Sequence, residues 1–104
     1  MYGKGGKRWK LTLPISENTW IHAKLLSENR VQIPVLVRWK FKLEPGEVLK
    51  VKVSPMRSHE SETFFARLQK GGRITVPTQV AIFLELKPGD VMEVGLLAEK
   101  PAEK

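Results

Sequence analysis

The sequence contains no cysteine and few residues suited to catalysis. Without cysteine, disulfides and thiolate-ligated zinc or iron sites are excluded. Asp90 is the single aspartate, and the two histidines, His22 and His59, show no metal-ligand spacing. No serine, histidine and aspartate set suggests nucleophilic catalysis. We therefore expect no enzymatic activity, no cofactor and no metal site.

Long apolar runs are also missing. No segment approaches the roughly 20 apolar residues that span a bilayer. The first ten residues, MYGKGGKRWK, are basic but lack the apolar region of a signal peptide. These absences, with the lack of cysteine, lead us to expect a soluble cytoplasmic protein with no membrane partner.

Acidic residues are scarce in one half of the chain. Residues 1–54 carry eleven Lys/Arg and four Glu, a net charge of +7, whereas residues 55–104 carry seven Lys/Arg and seven Asp/Glu. Such one-sided positive charge suits a polyanion, above all nucleic acid. The alternative is a solvated surface with a chance bias, and charge alone leaves it open.

An internal repeat organises the chain. Residues 20–53 align with residues 63–96 at a shift of 43 without a gap, and ten of the 34 pairs are identical. Unrelated segments would share roughly two. Each unit is too small to bury a sufficient core alone and has no disulfide to compensate. We therefore expect the two units to complete one shared core in a pseudo-twofold pair.

The two units predict the same elements. Residues 20–26 and 63–68 have the composition of strands, and a short second strand, 30–33 or 73–76, ends at Pro34 or Pro77. Short helical turns are predicted over 35–42 and 78–85, followed by Pro-Gly turns and final strands over 48–53 and 91–97. Residues 54–62 are predicted to be a linker and residues 98–104 a flexible tail.

Residues 1–19 lie outside the repeat and are predicted to form a basic arm and an extra strand. Trp9, Leu11, Leu13 and Ile15 alternate with polar residues, as in a strand. The preceding GKGGK segment lacks the spacing of a phosphate-binding P-loop. A basic arm that follows DNA and a disordered terminus remain equally good interpretations.

The motifs of the repeat resemble a known family. Gly-Gly-Arg-Ile-Thr-Val-Pro at 71–77, followed by Leu-Lys-Pro-Gly-Asp-Val-Met-Glu-Val at 86–94, is similar to the AbrB/SpoVT-type swapped-hairpin family. This family includes AbrB regulators, MazE-type antitoxins and MraZ-like proteins. The resemblance implies a mainly β fold with short helical turns, in which two tandem units interlock their hairpins into one β-barrel.

The resemblance also implies binding of double-stranded DNA, and hence a transcriptional regulator associated with the nucleoid. The arginines that open the short strands, Arg30 and Arg73, are the leading candidates, because a guanidinium group suits phosphate or a guanine edge. The alternative for these arginines is an ion pair with a nearby glutamate, such as Glu28 or Glu47. The full set of candidate DNA-binding residues comprises Lys7, Arg8, Lys10, Lys24, Arg30, Arg38, Lys40, Lys42, Arg67, Lys70 and Arg73.

The second unit departs from the first at its helix. Ala81-Ile82-Phe83-Leu84 replaces the basic segment at 38–42. We expect these apolar residues to lie in the core, whereas exposure would favour a homodimer. Trp20 and Trp39, with Trp9, are also expected in the core, although stacking on bases of a single strand is an alternative.

Two other functions stay open. The first is an architectural chromatin protein of an archaeon, for which small size and high pI are suitable. The second is a MazE-like antitoxin, a protein-interaction module. Only about seven residues follow the last predicted strand, whereas family antitoxins typically carry a long toxin-wrapping segment. That difference argues against a toxin partner.

Overall fold

A computed structural model describes residues 15–98, which form a mainly β domain with two short helices. The predicted basic arm, with Lys7, Arg8 and Lys10, and most of the extra strand and of the tail lie outside the described residues. Ile15 is buried. The elements are β1 (Thr19–Lys24), a 3-10 turn (Ser27–Asn29), β2 (Arg30–Gln32), α1 (Val35–Phe41), β3 (Val48–Pro55), β4 (Glu62–Arg67), β5 (Arg73–Thr75), α2 (Thr78–Phe83) and β6 (Val91–Leu97).

The strands form two antiparallel sheets. A four-stranded sheet has the order β1-β6-β3-β4, and β2 pairs with β5 in a two-stranded ribbon. Within residues 15–98 these sheets do not close into one barrel. Every pairing of these strands joins a strand from residues 19–55 to one from residues 62–97. The two halves of the chain therefore share each sheet.

Backbone hydrogen bonds recur at the 43-residue shift of the repeat. The Leu25 amide donates to the Asp90 carbonyl at 2.8 Å, and the Leu68 amide donates to the Glu47 carbonyl at the same distance. The carbonyls of Leu25 and Leu68 also each accept a hydrogen bond of 2.7 Å from the glycine amide of the opposite Pro-Gly turn. The repeated residues thus make matching contacts, and each contact crosses from one half to the other.

The core lies between the two sheets. Val31 and Ile74 point inward from the ribbon and are fully buried. They face the apolar side of the four-stranded sheet, where inward positions such as Leu49, Val51 and Leu96 are also fully buried. No polar or charged residue of the described chain is buried. Burial of apolar surface from both halves is therefore the main stabilising contribution.

Pro-Gly turns and left-handed helix ends set the chain reversals. Gly46 and Gly89 both have φ of +97°, as the third position of the predicted type II turns requires. Lys42 is the left-handed C-cap of α1, and Glu85, which follows the C-cap of α2, has a similar φ near +55°. Pro34 and Pro77 immediately precede the helices, so the prediction that proline ends each short strand is confirmed.

Two expectations about the core are wrong. Trp20 and Trp39 are exposed rather than buried, because Trp20 alternates with the inward-facing Ile21 and Trp39 lies on the solvent side of α1. The expectation for residues 81–84 is wrong for Ile82 and Phe83, which are exposed, and confirmed for Ala81 and Leu84, which are buried. The predicted linker is also shorter, since β3 extends to Pro55 and β4 begins at Glu62.

No helix between residues 15 and 98 is both long and apolar enough to cross a membrane.

Candidate nucleic-acid interface

The ribbon presents four polar side chains on one face. Val31 pairs with Ile74, and the flanking pairs are Arg30 with Thr75 and Gln32 with Arg73. Successive side chains of a strand point to opposite faces. Because Val31 and Ile74 face the core, both arginines lie on the outer face of the ribbon, at diagonal positions. The prediction that Arg30 and Arg73 share a surface agrees with this register.

Arg30 is partly neutralised at its end of the ribbon. Its guanidinium group lies 2.9 Å from the Glu28 carboxylate, which is the ion pair considered from the sequence. Glu28 is largely exposed and sits in the left-handed region at φ +61°. An ion pair this exposed contributes little stability and exchanges readily for another anion. Glu28 nevertheless lowers the positive potential beside Arg30.

The Arg73 end of the ribbon carries more positive charge. Arg38 of α1 reaches it, because the Arg38 Nε donates to the Ile33 carbonyl at 3.1 Å and the guanidinium group lies over Gly72. Lys70 is exposed in the adjacent turn. No carboxylate of the described chain forms an ion pair with Arg73, Arg38 or Lys70. Basic residues from both halves of the sequence therefore meet at one end of the ribbon.

The turn beside Arg73 is held by one side chain from each half of the chain. Gln32 Nε2 donates to the Gly71 carbonyl at 2.8 Å. Gln69 Nε2 donates to Thr75 Oγ1 at 3.0 Å on the neighbouring strand. A Cβ at Gly71 would lie 3.5 Å from an Arg73 nitrogen, so the guanidinium group packs beside this glycine. The two hydrogen bonds therefore fix the turn that precedes Arg73.

Gly72 is required by both its backbone and its neighbour. Its φ is +86°, and a Cβ there would lie 2.4 Å from the Arg38 Cζ. We expect Gly72→Ala to destabilise the protein by about 1–2 kcal/mol from backbone strain, with a further loss from the displaced Arg38. Thermal or chemical unfolding would measure both.

Gly46→Ala is the matched control for this prediction, because Gly46 has a similar φ and no atom within 4 Å of its Cβ position. The excess cost of Gly72→Ala over Gly46→Ala isolates the Arg38 contact. In an Arg38→Ala background that excess should vanish. Equal costs in the native background would show that Arg38 does not occupy this position.

The other helix residues are less available. Lys40 Nζ lies 2.7 Å from Glu17 Oε2, and this lysine lowers the pKa of the Glu17 carboxyl through a hydrogen bond and charge attraction. Lys42 is exposed at the left-handed end of α1. Of the basic helix residues predicted from the sequence, Arg38 is therefore the one that the structure brings to the ribbon.

Lys24 and Arg67 lie on the four-stranded sheet rather than on the ribbon. They occupy equivalent outward positions at the ends of β1 and β4. One Arg67 nitrogen donates to the Gly46 carbonyl at 2.7 Å. A cleft of about 580 Å³ beside β4 is lined by Arg67, Lys70 and Thr75, and also by Phe65 and Gln69. The cleft connects Arg67 to the ribbon.

Sequence reasoning missed the Arg57 contact. Arg57 donates to the Glu85 carbonyl at 2.6 Å and lies 3.3 Å from the Asp90 carboxylate. The pKa of Asp90 is lowered, mainly because its carboxylate accepts a hydrogen bond from the Lys87 amide. The contact ties the loop after β3 to the second Pro-Gly turn. No group of three or more metal-ligating side chains occurs in residues 15–98.

Comparison with known proteins adds a fold relationship. No protein-family model matches the chain, and no curated protein matches it. The solution structure of PHS018 from Pyrococcus horikoshii is similar, with a TM-score of 0.70 and 29% sequence identity. The match covers 81% of this chain and 95% of that chain. The similarity therefore extends over almost the whole of the neighbour, and it concerns the fold.

Proposed function

We propose that this protein binds double-stranded DNA and acts as a transcriptional regulator of the AbrB type. In this proposal the chain contains two tandem AbrB-like units whose hairpins interlock about a pseudo-twofold axis. The pairing of every strand in residues 15–98 across the two halves supports the interlocked arrangement. The observation that carries the DNA-binding proposal is the outer face of the ribbon, where Arg30, Gln32, Arg73 and Thr75 lie together.

A two-stranded ribbon is narrow enough to enter the major groove of B-DNA. Arginine donates two hydrogen bonds to guanine, and glutamine recognises adenine in the same groove. In this proposal Arg38 and Lys70, at the end of the ribbon, contact phosphates. The chain's net charge of +7 would add attraction that does not depend on sequence. Affinity would then come from phosphates and sequence preference from the ribbon.

The ionic-strength dependence of duplex binding tests this function. We expect the logarithm of the association constant to fall linearly with the logarithm of the salt concentration, by about 0.9 for each phosphate contacted. Fluorescence anisotropy with a labelled duplex would measure the slope. No binding at low salt would contradict the proposal. Equal affinities for selected and random duplexes would instead favour an architectural protein.

A further inference from the structure

Two aromatic side chains lie on the solvent side of the four-stranded sheet. Trp20 is 48% exposed on the edge strand β1, and Phe65 is 59% exposed on the opposite edge strand β4. The hydrophobic core is complete without either ring. Exposed aromatic rings on an antiparallel sheet are the surfaces on which proteins stack unpaired bases. The two rings are therefore available for a ligand with flat, apolar faces.

The sheet itself holds the Trp20 ring in place. Trp20 pairs directly with Gly95 of β6. A Cβ on Gly95 would lie within 2.2–2.7 Å of three atoms of the six-membered ring. The indole therefore occupies the space above the glycine, with one side covered by the strand and the rest facing solvent. A ring fixed in this way loses little conformational entropy when a base stacks on it.

Basic side chains surround the two rings on the same face. Lys52 pairs with Gly95 from the other side of β6, and so lies next to the position that the Trp20 ring covers. Lys24 lies two outward positions beyond Trp20 on β1, with His22 between them, and Arg67 lies one outward position beyond Phe65 on β4. Lys52 thus lies beside the position of the Trp20 ring and Arg67 beside Phe65, while Lys24 lies farther along β1.

Negative charge is sparse on this surface. Among the described residues at outward positions of β1, β6, β3 and β4, Glu93 is the one acidic residue. It lies opposite His22 on β1. The face therefore has a net positive charge, which favours phosphates. A purely apolar partner would leave Lys24, Lys52 and Arg67 without counter-charges, whereas a nucleic-acid strand supplies bases for the rings and phosphates for the cations.

We propose that this face binds single-stranded nucleic acid, with bases stacked on Trp20 and Phe65 and phosphates held by Lys24, Lys52 and Arg67. The two rings stand on strands three spacings apart, which corresponds to about 14 Å. Stacked nucleotides rise about 3.4 Å each along one strand. About four nucleotides of the bound single strand would therefore span the distance between the two rings. The two rings stand on the four-stranded sheet rather than on the ribbon, and single-strand binding there goes beyond duplex binding.

Binding of labelled oligothymidine and oligouridine, followed by fluorescence anisotropy, tests the proposal. We expect Trp20→Ala and Phe65→Ala each to weaken binding about tenfold, the usual effect of removing one stacking ring. Gly95→Val should have a similar effect, because it displaces the Trp20 ring while removing no charge and no aromatic group. Equal affinities for oligothymidine and oligouridine would indicate recognition of features common to DNA and RNA. A preference for oligouridine would implicate the 2′-hydroxyl.

Trp39→Ala is the matched control, since Trp39 is an exposed tryptophan on α1 and lies away from the sheet. It should leave binding unchanged. Thermal unfolding of every variant verifies folding, and Phe65→Ala keeps the test valid if Trp20→Ala unfolds. Duplex binding should survive Trp20→Ala, because Trp20 does not line the cleft that leads to the ribbon, so failure of this site is distinguishable from failure of the duplex site. Absence of single-strand binding at low salt, or binding that is indifferent to both rings, would overturn the proposal.

Discussion

Leu96→Ala is expected to destabilise the protein by about 3–5 kcal/mol. Leu96 is fully buried on β6, the strand that pairs with both β1 and β3. Truncation leaves a cavity in the core that the surrounding strands cannot fill, which adds to the lost transfer free energy. A domain of this size is stabilised by only about 5–15 kcal/mol. The midpoint of thermal unfolding should therefore fall on the order of 15 °C.

The chain offers a chemically identical control. Leu36 on α1 is 71% exposed, so Leu36→Ala removes the same atoms from water rather than from the core. We expect its effect on the free energy of unfolding to stay within about 0.5 kcal/mol. Both variants should be compared by denaturant unfolding. Similar losses for the two would mean that β6 does not hold the centre of the core.

The double substitution Arg30→Ala/Arg73→Ala is expected to weaken duplex binding by about 30-fold or more. Each arginine that contacts a base or phosphate contributes about 1–3 kcal/mol. Arg73 should account for most of the loss, because Arg30 already pairs with Glu28 at 2.9 Å. Single and double variants, measured against one duplex at fixed salt, separate the two contributions.

Two further variants sharpen this experiment. Lys87→Ala removes one positive charge from a Pro-Gly turn outside the ribbon and should change affinity little. Glu28→Gln removes the carboxylate beside Arg30 and should increase affinity, the opposite direction. A loss with Lys87→Ala equal to that with Arg73→Ala would indicate that total charge, and not the ribbon, determines binding. Unchanged binding of the double variant would exclude the ribbon.

Local sequence signals predicted the elements well because proline and glycine act through the backbone. Pro34 and Pro77 lack an amide donor, so they mark the ends of the short strands wherever the chain goes next. Gly46 and Gly89 tolerate positive φ, which fixes the turns. The 3-10 turn at Ser27–Asn29 was missed, since Glu28 and Asn29 adopt positive φ without glycine.

Contacts between distant residues could not be read in the same way. Arg38 lies over Gly72, and Gln32 bonds to Gly71, because β2 pairs with β5 rather than with a neighbour in sequence. A strand's partner and register depend on tertiary packing, which a single sequence does not specify. The net charges of the two halves of the chain therefore could not show that Arg38 and Arg73 lie at the same end of the ribbon.

The exposure of Trp20 could have been predicted from the alternation of inward and outward positions along its strand. Trp20 alternates with Ile21 and Ala23, which the repeat aligns with inward-facing Phe64 and Ala66. Its hydrophobicity favoured the core, but its position on the strand placed it on the other face. Gly95, its partner across β6, gave no signal of its own, because an isolated glycine in a strand has several explanations.

β6 is the last of the described strands and pairs on both of its sides, which affects how the protein is made. β6 (Val91–Leu97) lies between β1 and β3 in the four-stranded sheet. On the ribosome, β1 emerges before its partner and cannot pair until β6 has been translated. Contacts between residues so distant in sequence make folding slow. The nascent N-terminal half therefore stays exposed to proteases and chaperones until synthesis reaches β6.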